Sequence, residues 1–217
     1  MNYPLKYQNY IFDFDGTIAD SSGEVLGSLK QAFNEAGIAF DEADFVPEII
    51  GPPIKEIILR VKPDLSCAQL DIVVSHYRNI YDNKENDSSV LYDGMEGCLR
   101  RLKNNGKRLF ISTNKPKIPM QRLIKKFALD MFDDICTIDR FGAPLSKKEI
   151  VKRIIRDNAL TSEETVMIGD AQGDIDAVAA SGIASIFVSW GYCKNKEDVM
   201  KNADYSAATV AELEHYL

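Results

Sequence analysis

The chain has no excess of positive charge, no paired-cysteine motif and no long apolar run, and each absence removes a class of function. Lysine and arginine number 26 against 33 aspartates and glutamates, a net charge of −7. A protein that tracks a nucleic-acid polymer or lies on a membrane surface needs a basic face, so neither partner is expected. A small anionic substrate remains compatible, because a metal and a few lysines reverse the sign locally. The four cysteines, Cys67, Cys98, Cys136 and Cys193, are scattered. Without Cys-X-X-Cys or a Cys/His cluster at zinc spacing, they read as reduced thiols of a cytoplasmic protein. No stretch approaches a membrane span. Residues 1–9 are polar and aromatic, without the apolar core of a signal peptide. The glycine-rich phosphate loop and the Gly-X-Gly-X-X-Gly dinucleotide turn are missing as well.

What is present is a globular composition, 45% hydrophobic and 27% charged over 217 residues. That length suits one domain carrying a smaller insertion. Tyr10-Ile11-Phe12 reads as the end of a buried strand. Ser21 and Glu24, at capping-box spacing, open a helix with Val25, Leu26, Leu29, Ala32, Phe33 and Ala36 on one side and Gly37 at its stop. Further helices are predicted over 40–46, 54–61 and 70–81, with Gly51-Pro52-Pro53 as a rigid break and 83–89 as a polar linker. Beyond Tyr92, strands over 108–112, 134–138, 165–169 and 183–189 alternate with helices over 95–103, 119–127, 146–158 and 174–181. A last helix is predicted over 207–217. Such alternation implies an α/β fold, a doubly wound, Rossmann-like parallel sheet. The expected core is 1–19 with 89–217. Residues 20–88 form an α-helical insertion on paired linkers, placed to act as a lid.

Asp13 and Asp15 sit where the first strand enters a loop, the edge at which open α/β sheets bind ligands. Two carboxylates this close repel, and a cation relieves the repulsion. The pair therefore suggests a Mg²⁺-assisted site in which one aspartate attacks and the other moves protons. An ordinary Asp-Gly turn is the plain alternative. Thr113-Asn114 ends the second strand as either a phosphate-holding hydroxyl with backbone amides or a simple turn. Lys147 follows Ser146 in a first helical turn, where a cation opposes the dipole by roughly 0.3–1 kcal/mol unless it faces carboxylates or a phosphate. Its neighbour Lys148 reads as solvated. Gly169-Asp170 and Asp174 make a second acidic turn that suits a hard cation, although Asp174 also fits an N-cap. Gly51 and Lys55 of the insertion lie where a closing lid meets substrate. The simpler reading of Lys55, and of Lys115 beside Thr113, is a solvated lysine. Trp190 and Tyr192 read as packing, and His76 and His215 receive no role.

Taken in order, Asp13-X-Asp15-X-Thr17, Thr113 before Asn114, Lys147, and Gly169-Asp170-X-X-X-Asp174 resemble the four motifs of the haloacid dehalogenase-like (HAD) superfamily. The resemblance runs over nearly the whole chain and extends to the insertion, which resembles an α-helical cap. It implies a Mg²⁺-dependent phosphatase that hydrolyses a small phosphomonoester through an aspartyl-phosphate. Asp13 would be the nucleophile and Asp15 the acid and base, with Thr113 and Lys147 completing the catalytic set. Thr17, Thr113, Asn114 and Lys147, with Gly51 and Lys55, would bind substrate. The metal would take Asp13, Asp170 and the backbone carbonyl of Asp15, and Asp174 would be a direct or water-mediated ligand or would orient Lys147. Tyr92-Asp93-Gly94-Met95 and Thr113-Asn114-Lys115-Pro116 look like phosphoglycolate phosphatases. Gly51-Pro52-Pro53 and Ser146-Lys147-Lys148-Glu149 look like the 5′-nucleotidase branch. Dehalogenation needs neither the second carboxylate nor a metal. A phosphomutase of the β-phosphoglucomutase type shares every core residue, and a non-catalytic phospho-acceptor module is the alternative from another class. The expected partner is a small phosphorylated metabolite, acted on by a monomer or homodimer.

Overall fold

In a computed structural model describing residues 6–217, strand β1 (Asn9–Phe12) is buried along its whole length. It runs parallel to β4 (Arg108–Thr113) on one side and β6 (Thr165–Gly169) on the other. Strand β5 (Asp134–Thr137) extends the sheet past β4. Strands β7 (Ala184–Val188) and β8 (Tyr205–Ala207) extend it past β6, giving the order β5-β4-β1-β6-β7-β8 with every pair parallel. A parallel sheet is covered on both faces, so its strands are apolar at successive positions. Tyr10, Phe12, Leu109, Ile111, Val166 and Ile168 pack into one core, with Met95, Leu99 and Leu102 of α4 (Met95–Asn104) and Leu123 of α5 (Lys117–Lys126). The intervening residues Ile11, Phe110 and Met167 point the other way. They meet Ile150, Val151 and Ile154 of α6 (Lys147–Asp157) and Ala177 and Val178 of α7 (Gln172–Val178).

Register then sets the site. Phe12 is level with Ile111 and with Ile168, so β4 runs two residues and β6 one residue past the end of β1, and the three ends lie at one edge of the sheet. The sheet order reverses at β1, since the chain builds β4 and β5 on one side and returns to β6 on the other. Ligands bind at such switch points, and Asp13 is the first residue beyond β1.

The chain divides into two compact units, one reaching Asp20 and resuming at Leu91–Leu217, the other Ser21–Val90. Short strands β2 (Ala19–Asp20) and β3 (Val90–Leu91) mark the crossings. The second unit contains α1 (Ser22–Glu35), α2 (Ile54–Val61) and α3 (Cys67–Asp82), with α1 packed on α3. The rings of Phe33, Phe40 and Phe45 cluster in it, and Tyr77 and Tyr81 stack with centroids 5.3 Å apart.

Several local expectations change. No helix spans 40–46. Asp41 accepts the Ala43 N–H in a 3₁₀ turn (Glu42–Asp44), and Val46 is extended, as a residue before proline prefers. Ser21 stands at the N-cap of α1 without a side-chain cap bond, so the capping box with Glu24 does not form. Glu24 instead accepts the Ser88 N–H at 2.9 Å and pairs with Lys84 at 2.9 Å. Burial raises the Glu24 carboxyl, but these contacts outweigh it and hold it below its ordinary value. The tail is not one helix. An unforeseen α8 (Lys196–Asn202) precedes β8, and α9 (Val210–Leu213) is a single turn. Three strand residues are too few to show periodicity, and pairing with Ile186–Val188 decides their state. All four cysteines are free thiols. Among the described residues, no helix is long and apolar enough to cross a membrane.

Helix α6 begins with a complete capping box. Ser146 Oγ accepts the Glu149 N–H and Glu149 accepts the Ser146 N–H. Replacing Ser146 by alanine is expected to remove about 1 kcal/mol of stability, read in a melting curve as a Tm lower by about 2–4 °C.

Candidate active site

Asp13 is fixed at the end of β1 by its N–H, which donates to the Ile168 carbonyl at 2.8 Å. Lys147, the first residue of α6, reaches it with Nζ 2.5 Å from Oδ1. The same ammonium lies 2.9 Å from Asp174 Oδ1 and donates to the Ser112 carbonyl at 2.7 Å. Lys147 is thus the cation that faces carboxylates, while Lys148 is exposed. Asp174 accepts the Ala171 N–H at 3.1 Å, so it supports its own helix start and also meets Lys147. Asp176 is exposed and accepts from Gln172.

Asp170 is held on both oxygens. Thr17 Oγ1 donates to Oδ1 at 3.1 Å and the Tyr192 N–H donates to Oδ2 at 2.8 Å. Two glycines close over it. Gly16 has φ +83°, and a Cβ there would overlap the Asp170 carboxylate; a Cβ on Gly191 would overlap the same group. The loop after β7 forms the outer wall, with Trp190 Nε1 donating to the Thr17 carbonyl at 3.2 Å and the Tyr192 hydroxyl to Asp20 at 2.8 Å. Thr17 was expected to bind substrate. It is completely buried, and its hydroxyl is engaged with the Asp170 carboxylate. Trp190 and Tyr192 do more than pack, because they carry the hydrogen bonds that enclose Asp170. The order of β6 and β7 brings them there, and spacing along the chain carries no trace of it.

Thr113 is buried at the end of β4, and its Oγ1 accepts the Lys115 N–H at 3.0 Å, leaving its hydroxyl hydrogen to donate. Asn114 beside it is half-buried. The Lys115 side chain is 3% exposed and its Nζ lies 3.0 Å from Asp15 Oδ1, so the reading of Lys115 as solvated is wrong. In the helical unit, Lys55 forms an exposed pair with Asp71 at 2.8 Å, an interaction of small net worth. Gly51 takes φ +119° in the bend before α2. His76 pairs with Glu35 in the same unit.

Oxygen atoms of Asp13, Asp170 and Asp174 all lie within 4.8 Å of one another. Burial pushes the Asp13 carboxyl up to about 7; Asp174 and Asp15 push the same way, against Lys147. Burial, then Asp13 and Asp174, push Asp170 well above the carboxylate range. Burial would lower Lys147, but Asp13 and Asp174 outweigh it and raise it. Four carboxylates against two ammoniums leave a formal excess of two negative charges. The donors are oxygens only, as a hard divalent cation prefers. The residues present therefore fit Mg²⁺, with Asp13, Asp170 and Asp174 as the side chains that would hold it. The Asp15 carboxylate stands apart on Lys115, which leaves its backbone carbonyl as the group that residue would offer.

The chain belongs to the haloacid dehalogenase-like hydrolase family, whose match covers residues 10–188. It is 31% identical over 215 residues to the tyrosine-protein kinase PtkA of Mycobacterium tuberculosis, covering 97% of this chain and 72% of that protein. The solved structure of PtkA aligns with a TM-score of 0.81 at 29% identity, over 96% of each chain. A 5′-nucleotidase of Pseudomonas aeruginosa is 28% identical over 222 residues, covering 98% of this chain and 96% of its own. A phosphoglycolate phosphatase of Colwellia psychrerythraea is 27% identical over 194 residues, 84% of each. The chain is a HAD-like hydrolase with relatives in both phosphatase branches that its motifs resemble.

Cation binding should depend on pH. Below about 7 the Asp13 carboxyl holds a proton that a cation must displace. Calorimetric Mg²⁺ affinity is therefore expected to rise from pH 5.5 to 7.5, approaching about tenfold per unit at the acid end for each proton displaced and flattening as the Asp13 carboxyl ionises near 7. An affinity constant across that range would show that the carboxyls are already ionised.

Proposed function

We propose that the protein is a Mg²⁺-dependent phosphatase that hydrolyses a small phosphomonoester, phosphoglycolate-like or a nucleotide, through an aspartyl-phosphate. The observation that carries this reading is the single ammonium of Lys147 joining Asp13 to Asp174 at the sheet's switch point. The Asp13 carboxylate attacks phosphorus while Asp15 protonates the departing ester oxygen. Asp15 then takes a proton from the water that cleaves the Asp13–phosphoryl bond. Thr113 donates its hydroxyl to a phosphoryl oxygen, with Asn114 beside it, and Lys147 neutralises charge shared by Asp13 and the phosphoryl group. Mg²⁺, when bound, adds electrostatic stabilisation of the phosphoryl oxygens. Asp13, Asp15, Thr113 and Lys147 make the catalytic set. Choice among esters is assigned to the Ser21–Val90 unit, which carries Gly51 and Lys55.

A phosphate-release screen over phosphoglycolate, nucleoside monophosphates and sugar phosphates tests the reading. Activity is expected with Mg²⁺ and its loss in excess EDTA; full activity in EDTA would sink the metal requirement. In ¹⁸O-water the released phosphate should carry one ¹⁸O. Appearance of the phosphoryl group on an added sugar or protein hydroxyl would favour a mutase or a kinase. Asp13→Asn should lower kcat by about 10³-fold or more, because an amide is no nucleophile. Lys147→Ala should cost about 10²–10³-fold and Lys148→Ala less than about twofold. The reverse order would overturn the role given to Lys147.

A further inference from the structure

The second buried lysine has no part in the reading above. Lys115 lies just beyond β4, in the loop that leads through Pro116 into α5. Its backbone already serves the loop, through the N–H on Thr113 Oγ1. Its side chain turns inward, loses nearly all contact with water and ends on Asp15 Oδ1 at 3.0 Å. An ammonium near a helix N-terminus is disfavoured by the dipole, and a lysine next to Pro116 at the protein surface would gain by staying in solvent. A buried ion pair adds little to stability compared with apolar packing, so its value has to be sought elsewhere. The two lysines also divide the carboxylates between them. Lys147 takes Asp13 and Asp174, which with Asp170 make the cation cluster. Lys115 takes Asp15, whose carboxylate is outside that cluster.

We propose that Lys115 is a positioning residue that fixes the Asp15 carboxyl in the orientation from which it exchanges protons with the leaving group and with water. The inference rests on the phosphatase reading. In the first step the Asp13 oxygen–phosphorus bond forms and the ester oxygen–phosphorus bond breaks. The Asp15 proton goes to the ester oxygen, and the alcohol departs. In the second step a water oxygen bonds to phosphorus, the Asp13 oxygen–phosphorus bond breaks, and Asp15 takes the water proton. Replacing Lys115 removes the ion pair on Asp15 Oδ1, while the contacts of Lys147 with Asp13 and Asp174 remain.

The consequence appears in how the rate depends on the leaving group. A poor leaving group needs the proton and a good one does not. The test uses a series of substituted phenyl phosphates, with p-nitrophenyl phosphate as the best leaving group. The wild-type protein should show a shallow dependence of kcat/KM on leaving-group basicity. Lys115→Met should lose about 10²-fold on phenyl phosphate but under about threefold in the p-nitrophenol burst. Its steady state should fall below the burst, because the water step also uses Asp15. Asp15→Asn should give the same steep profile, and the double variant should add nothing to either single one. Lys115→Arg should restore part of the shallow slope. Calorimetric Mg²⁺ affinity of Lys115→Met should be no weaker than that of the wild type, since a positive charge is lost, and its Tm should fall, since Asp15 loses a buried partner. Equal losses across the series, additive losses in the double variant, or reduced Mg²⁺ affinity would overturn the proposal. If Lys115→Met fails to fold, a steep slope in Lys115→Gln decides in favour and a wild-type slope against. A wild-type protein that releases phosphate from none of these esters would remove the phosphatase reading itself, a separate and distinguishable result.

Discussion

Crowding of negative charge at one edge of the sheet is the constraint on which the site depends. Asp13, Asp170 and Asp174 are buried within a few ångströms of each other, where burial and mutual repulsion both favour the protonated form. A fold selected for stability alone would put apolar side chains there. This one surrounds the carboxylates with compensations. Lys147 bridges two of them, Thr17 and the Tyr192 N–H hold the third, and the Ala171 N–H supports Asp174. These donors come from four separate segments, so the carboxylates keep their places only while the sheet order holds. What remains uncompensated is two units of charge, the amount one divalent cation brings.

The parallel sheet makes that convergence possible. Because β1, β4 and β6 end at one edge, Asp13, Thr113 and Asp170 come together without any long loop reaching across. Because β7 lies beside β6, the turn after β7 falls over Asp170, and glycine at 16 and 191 lets two backbone segments press against its carboxylate. The helical unit enters between β1 and β4, leaving the register of the sheet undisturbed. The acids are therefore fixed by the strands alone, whatever the inserted unit contributes.

How much of this was legible in the sequence follows from how local each feature is. The buried strands through Ile11, Phe110 and Met167 are apolar runs next to polar strand ends, so both fold class and the acidic turns could be read directly. Lys147 was readable because a cation in a first helical turn is a local mismatch that demands a partner. Lys115 has a dipole mismatch with α5, which begins at Lys117, but it does not show in sequence, because the helix predicted there starts only at 119. Its inward turn depends on the position of Asp15 a hundred residues earlier, and a solvated lysine fits the same letters. Thr17 entered as a substrate contact only through the resemblance, and its hydroxyl bond to Asp170, set by the turn at Gly16, is not readable from spacing. Glu24 matched a capping box by spacing, but Lys84 and Ser88 compete for it from the returning segment, and the tertiary contacts win. Strand β8 has only three residues and exists because β7 is there to pair with it.

Asp13 and Asp15 are the same side chain two positions apart, and nothing intrinsic distinguishes an attacking carboxylate from one that shuttles protons. Environment makes the difference. Asp13 is pressed among other acids, where Lys147 favours its ionised form and a bound cation would favour it further. Asp15 is paired with Lys115, and its carboxylate lies outside the cluster of oxygens that would hold a metal. If both carboxylates shared one cation, any proton carried by the second would be set by the charge state of the first. The two steps of phosphoryl transfer would then compete for one set of contacts. Two lysines on separate segments, one in the loop after β4 and one opening α6, give these two identical residues different partners. Phosphoryl transfer to and from an aspartate needs that separation, because the nucleophile must be ionised at the moment its neighbour gives up a proton.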